Sequence, residues 1–168
     1  MKVGPLYTHI IVPFDGEEAS RRAAGVGADL SRLFDNRLVV VTATPSGAGT
    51  DVEGLKARAQ QMSDERVDVW IEPNHRPDEA IATTVRFRPR SLICMSTHAR
   101  QGVRRAVYGS IAESIVSQVN VPVVLLGPRF EGDPVTSIRQ LVICVDSSAT
   151  SQSVLPLAGQ WARHLNLP

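Results

Sequence analysis

Short β-branched and apolar runs alternate along this chain with longer segments whose apolar residues recur every three to four positions. The first run, His9-Ile10-Ile11-Val12-Pro13, is closed by Phe14-Asp15-Gly16 and leads into a helical pattern over residues 17–34. Asp35-Asn36 turns the chain into a second strand, 38–43. A loop rich in Ser, Gly and Thr covers 44–51, followed by a helix over 52–65 and a strand over 67–71. Residues 73–77 read as a turn, Asp78 starts a helix that ends near Arg88-Pro89, and 92–95 is a fourth strand. After a long loop, a helix runs from Ser110 to about residue 119, and a fifth strand occupies 121–126. This alternation is the mark of βαβ units, which put a parallel sheet between layers of helix. The fifth strand, bounded by Val121 and Leu126, is almost continuously apolar, as suits a sheet covered on both faces.

Residues 129–137, with Gly132 and Pro134, read as a linker, and an internal echo follows it. "LVICVDSSATSQSVLPLAGQWARHLNL" repeats the shape of "IIVPFDGEEASRRAAGVGADLSRLFDN" at a spacing of 131 residues, so that Asp146 falls on Asp15, Ser151 on Ser20 and Arg163 on Arg32. The expected organisation is therefore a domain over 1–128, the linker, and over 138–168 the first strand and helix of a truncated second domain. In that tail 141–145 is the strand. Leu157, Trp161 and Leu165, widened by Val154 and Ala158, are the apolar stripe of the helix. A lone strand and helix do not bury such a stripe or repay their ordering entropy. The tail is expected to dock on another copy or on the first domain's exposed edge and to bury Trp161.

Composition narrows the class of protein. Apolar content of 43% and charged content of 21% are those of a soluble globular chain. A formal charge of +1 gives no global reason to expect nucleic acid or membrane as a partner. No apolar run has the length of a membrane span, and residues 1–15 lack a signal peptide's charged start and cleavage site, so the expected compartment is the cytoplasm. Cys94 and Cys144 sit inside apolar strand-like runs without metal-ligand spacing and read as buried core thiols.

Most catalytic signatures are missing. There is no Walker pattern, no HExxH, no nucleophile elbow and no clustered carboxylate pair, and the four histidines are scattered. Gly25-Val26-Gly27 lies well inside a helix, where the backbone amides are already used, so it is no dinucleotide fingerprint. Two loops remain, Pro13-Phe14-Asp15 and Ser96 to Ser110. In open parallel sheets ligands collect at the carboxyl ends of strands where the winding reverses. If the first and fourth strands are neighbours, these loops face one crevice. The amides opening the helix at Ser110 would then meet an anionic ligand, with Arg100, Arg104 and Arg105 adding charge. A purely structural alternative stands beside this one. Ser110-Ile111-Ala112-Glu113 is a capping box in sequence, Asp15 can serve the helix after it in the same way, and loop arginines are often only solvated.

Three features together resemble the universal stress protein family: "IIVPFDG", "ICMSTHARQGVRRAVYGSIAESIV" and "VNVPVVLL", in the family's order and spacing over residues 8–127. The resemblance implies a doubly wound five-stranded parallel sheet of order 3-2-1-4-5, the Rossmann-like fold of the adenine-nucleotide α-hydrolase-like proteins. It also implies a regulatory module in stress response that binds ATP together with Mg²⁺. Members that bind ATP carry Gly-x2-Gly-x9-Gly followed by Ser or Thr. Here those positions hold Ser96, Ala99, Gly109 and Ser110, so two glycines are replaced and the last two positions kept. By the same alignment Asp15, with Pro13 and Phe14 beside it, holds the ribose and phosphate side. Ala43 offers backbone groups to adenine, and His98, Arg100 and Gly102 take the places of the family's phosphate loop. If position 99 needs a positive φ, Ala costs about 1 kcal/mol there. Two tenfold penalties, about 1.4 kcal/mol each, weaken binding about a hundredfold without abolishing it. The expectation is thus weak or altered ATP binding with slow hydrolysis at most and no metabolic turnover. The family also implies a homodimer or an intramolecular pseudo-dimer through strand 121–126. The rival expectation is a nucleotide-independent interaction protein that acts through that dimerisation.

Overall fold

Ile10, Ile11 and Val12 are all 0% exposed, as are Leu92, Ile93 and Cys94. Two runs buried on both faces belong at the centre of a sheet, and the computed structural model places them there. It describes residues 6–44, 53, 54, 57, 61, 67–73, 75–97, 109–131 and 134–167. Strands β1 (His9–Pro13), β2 (Arg37–Thr44), β3 (Val67–Pro73), β4 (Ser91–Ser96) and β5 (Val123–Leu126) form one parallel sheet in the order β3-β2-β1-β4-β5. The doubly wound fold expected from the chain is the fold found.

Helices lie on both faces of this sheet. Helix α1 (Glu18–Leu33) covers one face, packing Ala23, Ala24, Leu30 and the adjoining Phe34 against Ile10, Val12, Leu38, Val40, Leu92 and Cys94. Helices α2 (Pro77–Phe87) and α3 (Ser110–Gln118) cover the other face. There Ala80, Ile81 and Val85, with Ala112 and Ile115, meet Ile11, Val39, Val41, Ile93 and Met95. Right-handed crossovers demand this division, because the chain winds outward from β1 to β3 and then crosses back to β4 and β5. Glu53, Gly54, Ala57 and Gln61 are helical, within the helix expected over 52–65, whose other residues lie outside those described, as do most of the loop 44–51.

Gly27 explains how closely α1 approaches the sheet. A Cβ at this position would run into Val12 Cγ2 and stand 3.3 Å from Leu38 Cδ1, whereas Gly25, on the outer side of the same helix, has nothing within 4 Å. Gly27 alone of the pair is thus a packing device in the middle of the helix.

Several boundaries and assignments shift. β5 begins at Val123, because Pro122 has no N–H to give to the ladder, although its carbonyl accepts from Ile93 N at 3.0 Å. β3 extends to Pro73, and α2 starts at Pro77, a residue suited to the first helical position. Residues 141–145 do not form the expected strand. No strand of the sheet pairs with them, and Val142 is 80% exposed, since an extended segment becomes a strand only beside a partner ladder. For the same reason Cys144 is exposed, and only Cys94 is the expected buried thiol, its burial pushing the pKa up to about 12.

The tail does form the expected helix, as α4 (Ala149–Gln152) and α5 (Leu155–His164). It packs on Tyr7 and Phe34 rather than on an edge of the sheet, and Trp161 is half-buried there. Trp161 Nε1 donates to the Tyr7 hydroxyl at 2.5 Å, and its ring meets Phe34 edge-on with centroids 4.9 Å apart. His164 stacks on the far side of the contact, 5.1 Å from Phe34. The linker reaches this position along α1, held by Arg22 Nη1 donating to Phe130 O at 2.9 Å and by Val135 N donating to Asp29 Oδ2 at 2.8 Å.

The sequence echo is also an echo of geometry. Glu17 N donates to Asp15 Oδ1 and Asp15 N to Ser20 Oγ; likewise Ser148 N donates to Asp146 Oδ1 and Asp146 N to Ser151 Oγ. At the other end of each helix Asp35 and Asn166 take positive φ, 47° and 53°. Asn36 N there donates to Ser31 O, as Leu167 N does to Ala162 O. Every one of these pairs is related by the spacing seen in the sequence.

Candidate functional site

β1 and β4 are hydrogen-bonded neighbours, yet their connections run to opposite faces, so the sheet's winding reverses between them. The carboxyl ends of the two strands lie side by side at this point, the usual ligand position in such sheets. On the β1 side the chain is tightly held. Phe14 N donates to Val41 O at 2.8 Å, and Thr42 Oγ1 donates to Phe14 O at 2.9 Å. Asp15 follows, exposed, with Oδ1 accepting from Glu17 N at 3.0 Å. Gly16 supplies the turn with φ 87°, a conformation that side chains with a Cβ rarely adopt. Ser20 Oγ donates to Glu17 O at 2.9 Å, which ties the turn to the first turn of α1.

On the β4 side, Ser96 ends the strand opposite Leu126, and Thr97 donates both N and Oγ1 to Leu126 O. The chain is next described at Gly109, which is the N-cap of α3 with φ −57° and ψ 148°. Ser110 is the first helical residue and does not cap, so the capping box read from the sequence is not formed. Its hydroxyl sits one position too late, past the residue from which a side-chain oxygen reaches back to the free amides. Among the described residues the opening amides of α3 therefore have no side-chain cap, and the helix dipole favours negative charge in front of them. α2 differs, since Glu79 Oε2 accepts from Arg76 N at 3.3 Å.

The candidate residues from the sequence divide into three groups. Pro13, Asp15, Ser96, Gly109 and Ser110 stand at carboxyl ends of β1 and β4 or at the start of α3, and Ala43 is half-buried near the end of β2. The Phe14 side chain is 4% exposed within the α1-side core, and both its backbone groups already have partners. His98, Ala99, Arg100 and Gly102, with Arg104 and Arg105, lie outside the described residues. Ser96 has ordinary strand backbone.

Two supporting groups were not picked out from the sequence as part of the site. Thr42 holds Phe14 from the neighbouring strand, and Asp78 on α2 accepts from Ser114 Oγ on α3 at 2.9 Å. Neither carries a motif, because each acts across elements far apart in the chain. Ser20 was visible only as a partner in the echo with Ser151. Burial alone would push the Asp78 carboxyl pKa up, but hydrogen bonds from Ser114 and Arg76 outweigh it and hold the group below the usual carboxylate range. Among the described residues no group of three or more His, Cys, Asp or Glu side chains is placed to hold a metal ion. No described helix is long and apolar enough to cross a membrane.

A five-stranded parallel sheet of this order with helices on both faces defines a Rossmann-like α/β fold. More specifically, the model of the universal stress protein family matches residues 6–127, and the chain belongs to that family. A curated relative, Universal stress protein MJ0531 of Methanocaldococcus jannaschii, is 26% identical over 141 residues, covering 72% of this chain and 82% of its own. A 72-residue stretch is 32% identical to mannose-6-phosphate isomerase of Cryptococcus neoformans, 40% of this chain but 17% of that protein, which bears on a segment and not on the whole. Among solved structures, a universal stress protein in complex with cAMP superposes with a TM-score of 0.57 at 16% identity, over 72% of this chain and 97% of that one. At this identity the likeness concerns the fold.

Proposed function

We propose that this protein is a regulatory module of the universal stress type that binds an adenine nucleotide, ATP with Mg²⁺, weakly in the crevice between Asp15 and Gly109-Ser110. The observation that carries the proposal is the start of α3, uncapped among the described residues, together with the Asp15 turn that follows β1 at the switch point. Phosphate oxygens accept from such amides, and the helix dipole adds to the attraction. The related structure with cAMP supports an adenine ligand in a fold of this kind. Mg²⁺ keeps most of its ligands as water and phosphate oxygen, so one carboxylate such as Asp15 suits it and a cage of protein ligands is not required. Asp15 is also the one candidate for a base, which leaves slow hydrolysis at most.

Titration calorimetry with ATP and Mg²⁺ tests the proposal. Weak binding to the wild type, tightening in Ser96→Gly/Ala99→Gly and loss in Gly109→Val are expected. No heat with either the wild type or the double variant would overturn it.

A second reading, association independent of nucleotide, is favoured by one feature. β5 is an edge of the described sheet, and its four residues are apolar and only half-buried. The two readings are compatible if the paired edge forms a dimer of nucleotide-binding domains. The repeated hydrogen-bond pattern also supports reading residues 138–167 as the opening unit of a second domain of the same kind.

A further inference from the structure

We propose that Asp78 is the positioning residue for the anion-receiving end of α3: through Ser114 it sets where the amides at Gly109 and Ser110 stand. The proposal rests on the crevice reading above and deepens it.

Asp78 is 7% exposed, and carboxylates are rarely buried to this degree without dedicated partners. Its partners bridge two helices. Arg76 Nε donates to Oδ1 at 3.2 Å and Arg76 Nη2 to Oδ2 at 3.3 Å, a two-pronged pair on the α2 side. Ser114 Oγ donates to Oδ2 at 2.9 Å from the α3 side, and Gln118 Nε2 donates in turn to Ser114 Oγ at 2.6 Å. Each member of the chain Arg76, Asp78, Ser114, Gln118 thus has a role as donor or acceptor.

Among the described residues α3 also meets this side of the core through Ala112 and Ile115, which are apolar. Apolar contact holds a helix against its neighbour but is non-directional and resists sliding along the axis poorly. A charge-assisted hydrogen bond is directional. Ser114 lies four residues after Ser110, about one helical turn, so a shift at Ser114 is carried rigidly to the opening amides. Binding groups need placement within about 0.5 Å, while one residue of axial slip moves a helix by about 1.5 Å. Asp78 brings its charge near the site already paired with Arg76, so it does not repel a phosphate as a bare carboxylate would.

The test uses the full chain and two ligands, ATP with Mg²⁺ and adenosine, because only ATP places phosphates on the α3 amides. In Asp78→Ala and Ser114→Ala the affinity for ATP should fall about tenfold while that for adenosine stays unchanged. Asp78→Asn, whose amide oxygen still accepts from Ser114, should keep ATP affinity within about threefold of wild type. The double variant Asp78→Ala/Ser114→Ala should lose no more than either single one. Equal losses for ATP and adenosine, or none for either, would overturn the assignment. If Asp78→Ala fails to fold, Ser114→Ala decides alone, since it removes only a half-buried hydroxyl. A wild type that binds neither ligand overturns the crevice reading itself and this inference with it. ATP bound equally by wild type and all variants overturns only the role of Asp78.

Discussion

Replacing either of two glycines in α1 by alanine should change stability in opposite directions, although they are two positions apart. Alanine is favoured over glycine in a helix interior by about 1 kcal/mol, because glycine has more backbone freedom to lose. At Gly25 nothing lies within 4 Å of the added methyl, so Gly25→Ala should gain most of that amount. At Gly27 the methyl meets Val12 Cγ2. Val12 is β-branched and 0% exposed in the central strand, and Leu38, also in contact, is 1% exposed. Neither can swing aside cheaply, so α1 itself must lift from the sheet. Overpacking of this kind costs about 1–3 kcal/mol, which outweighs the helix gain and leaves Gly27→Ala destabilised by about 1 kcal/mol. The two variants should differ by about 2 kcal/mol, or roughly 4–8 °C in Tm for a chain of this size. Urea and thermal unfolding followed by circular dichroism measure the difference. A Gly27→Ala variant as stable as Gly25→Ala would refute the close approach of helix and sheet. The consequence reaches the candidate site, because α1 carries Ser20, which holds the Asp15 turn.

The docked tail and the β5 edge give further predictions. Trp161→Ala should cost about 1–3 kcal/mol in urea unfolding, by loss of the ring contact with Phe34 and of the bond to Tyr7. Trp161→Phe should cost less, about 1 kcal/mol, because the N–H and part of the ring are lost while an aromatic contact with Phe34 is kept; stability unchanged in both would show that the tail is not held there. Val123→Asp/Leu125→Asp should give monomers or insoluble protein, and an unchanged dimer of this double variant in light scattering would put the interface elsewhere.

Strand and helix order was legible along the chain because periodicity and turn residues act locally. The runs at Ile10 to Val12 and Leu92 to Cys94 announced buried strands, and burial on both faces followed. The order of strands and the division of helices between faces came from the family resemblance, and the paired register bears them out. The echo between Asp15 and Asp146 was visible as a pattern of residues and proved to be a pattern of hydrogen bonds. Other features depend on which groups meet across long separations. Whether Ser110 caps α3 turned on a single-residue offset that the motif does not encode. Residues 141–145 carry a strand's composition, but a strand exists only where a partner offers its backbone, and none of the five does. Phe14 sits in a motif associated with the ligand, yet the neighbouring strand and α1 draw its side chain into the core. The bond between Asp78 and Ser114 joins residues 36 positions apart on two helices. Local sequence determines what each segment can become; tertiary packing decided which polar groups find partners, and those groups shape the crevice.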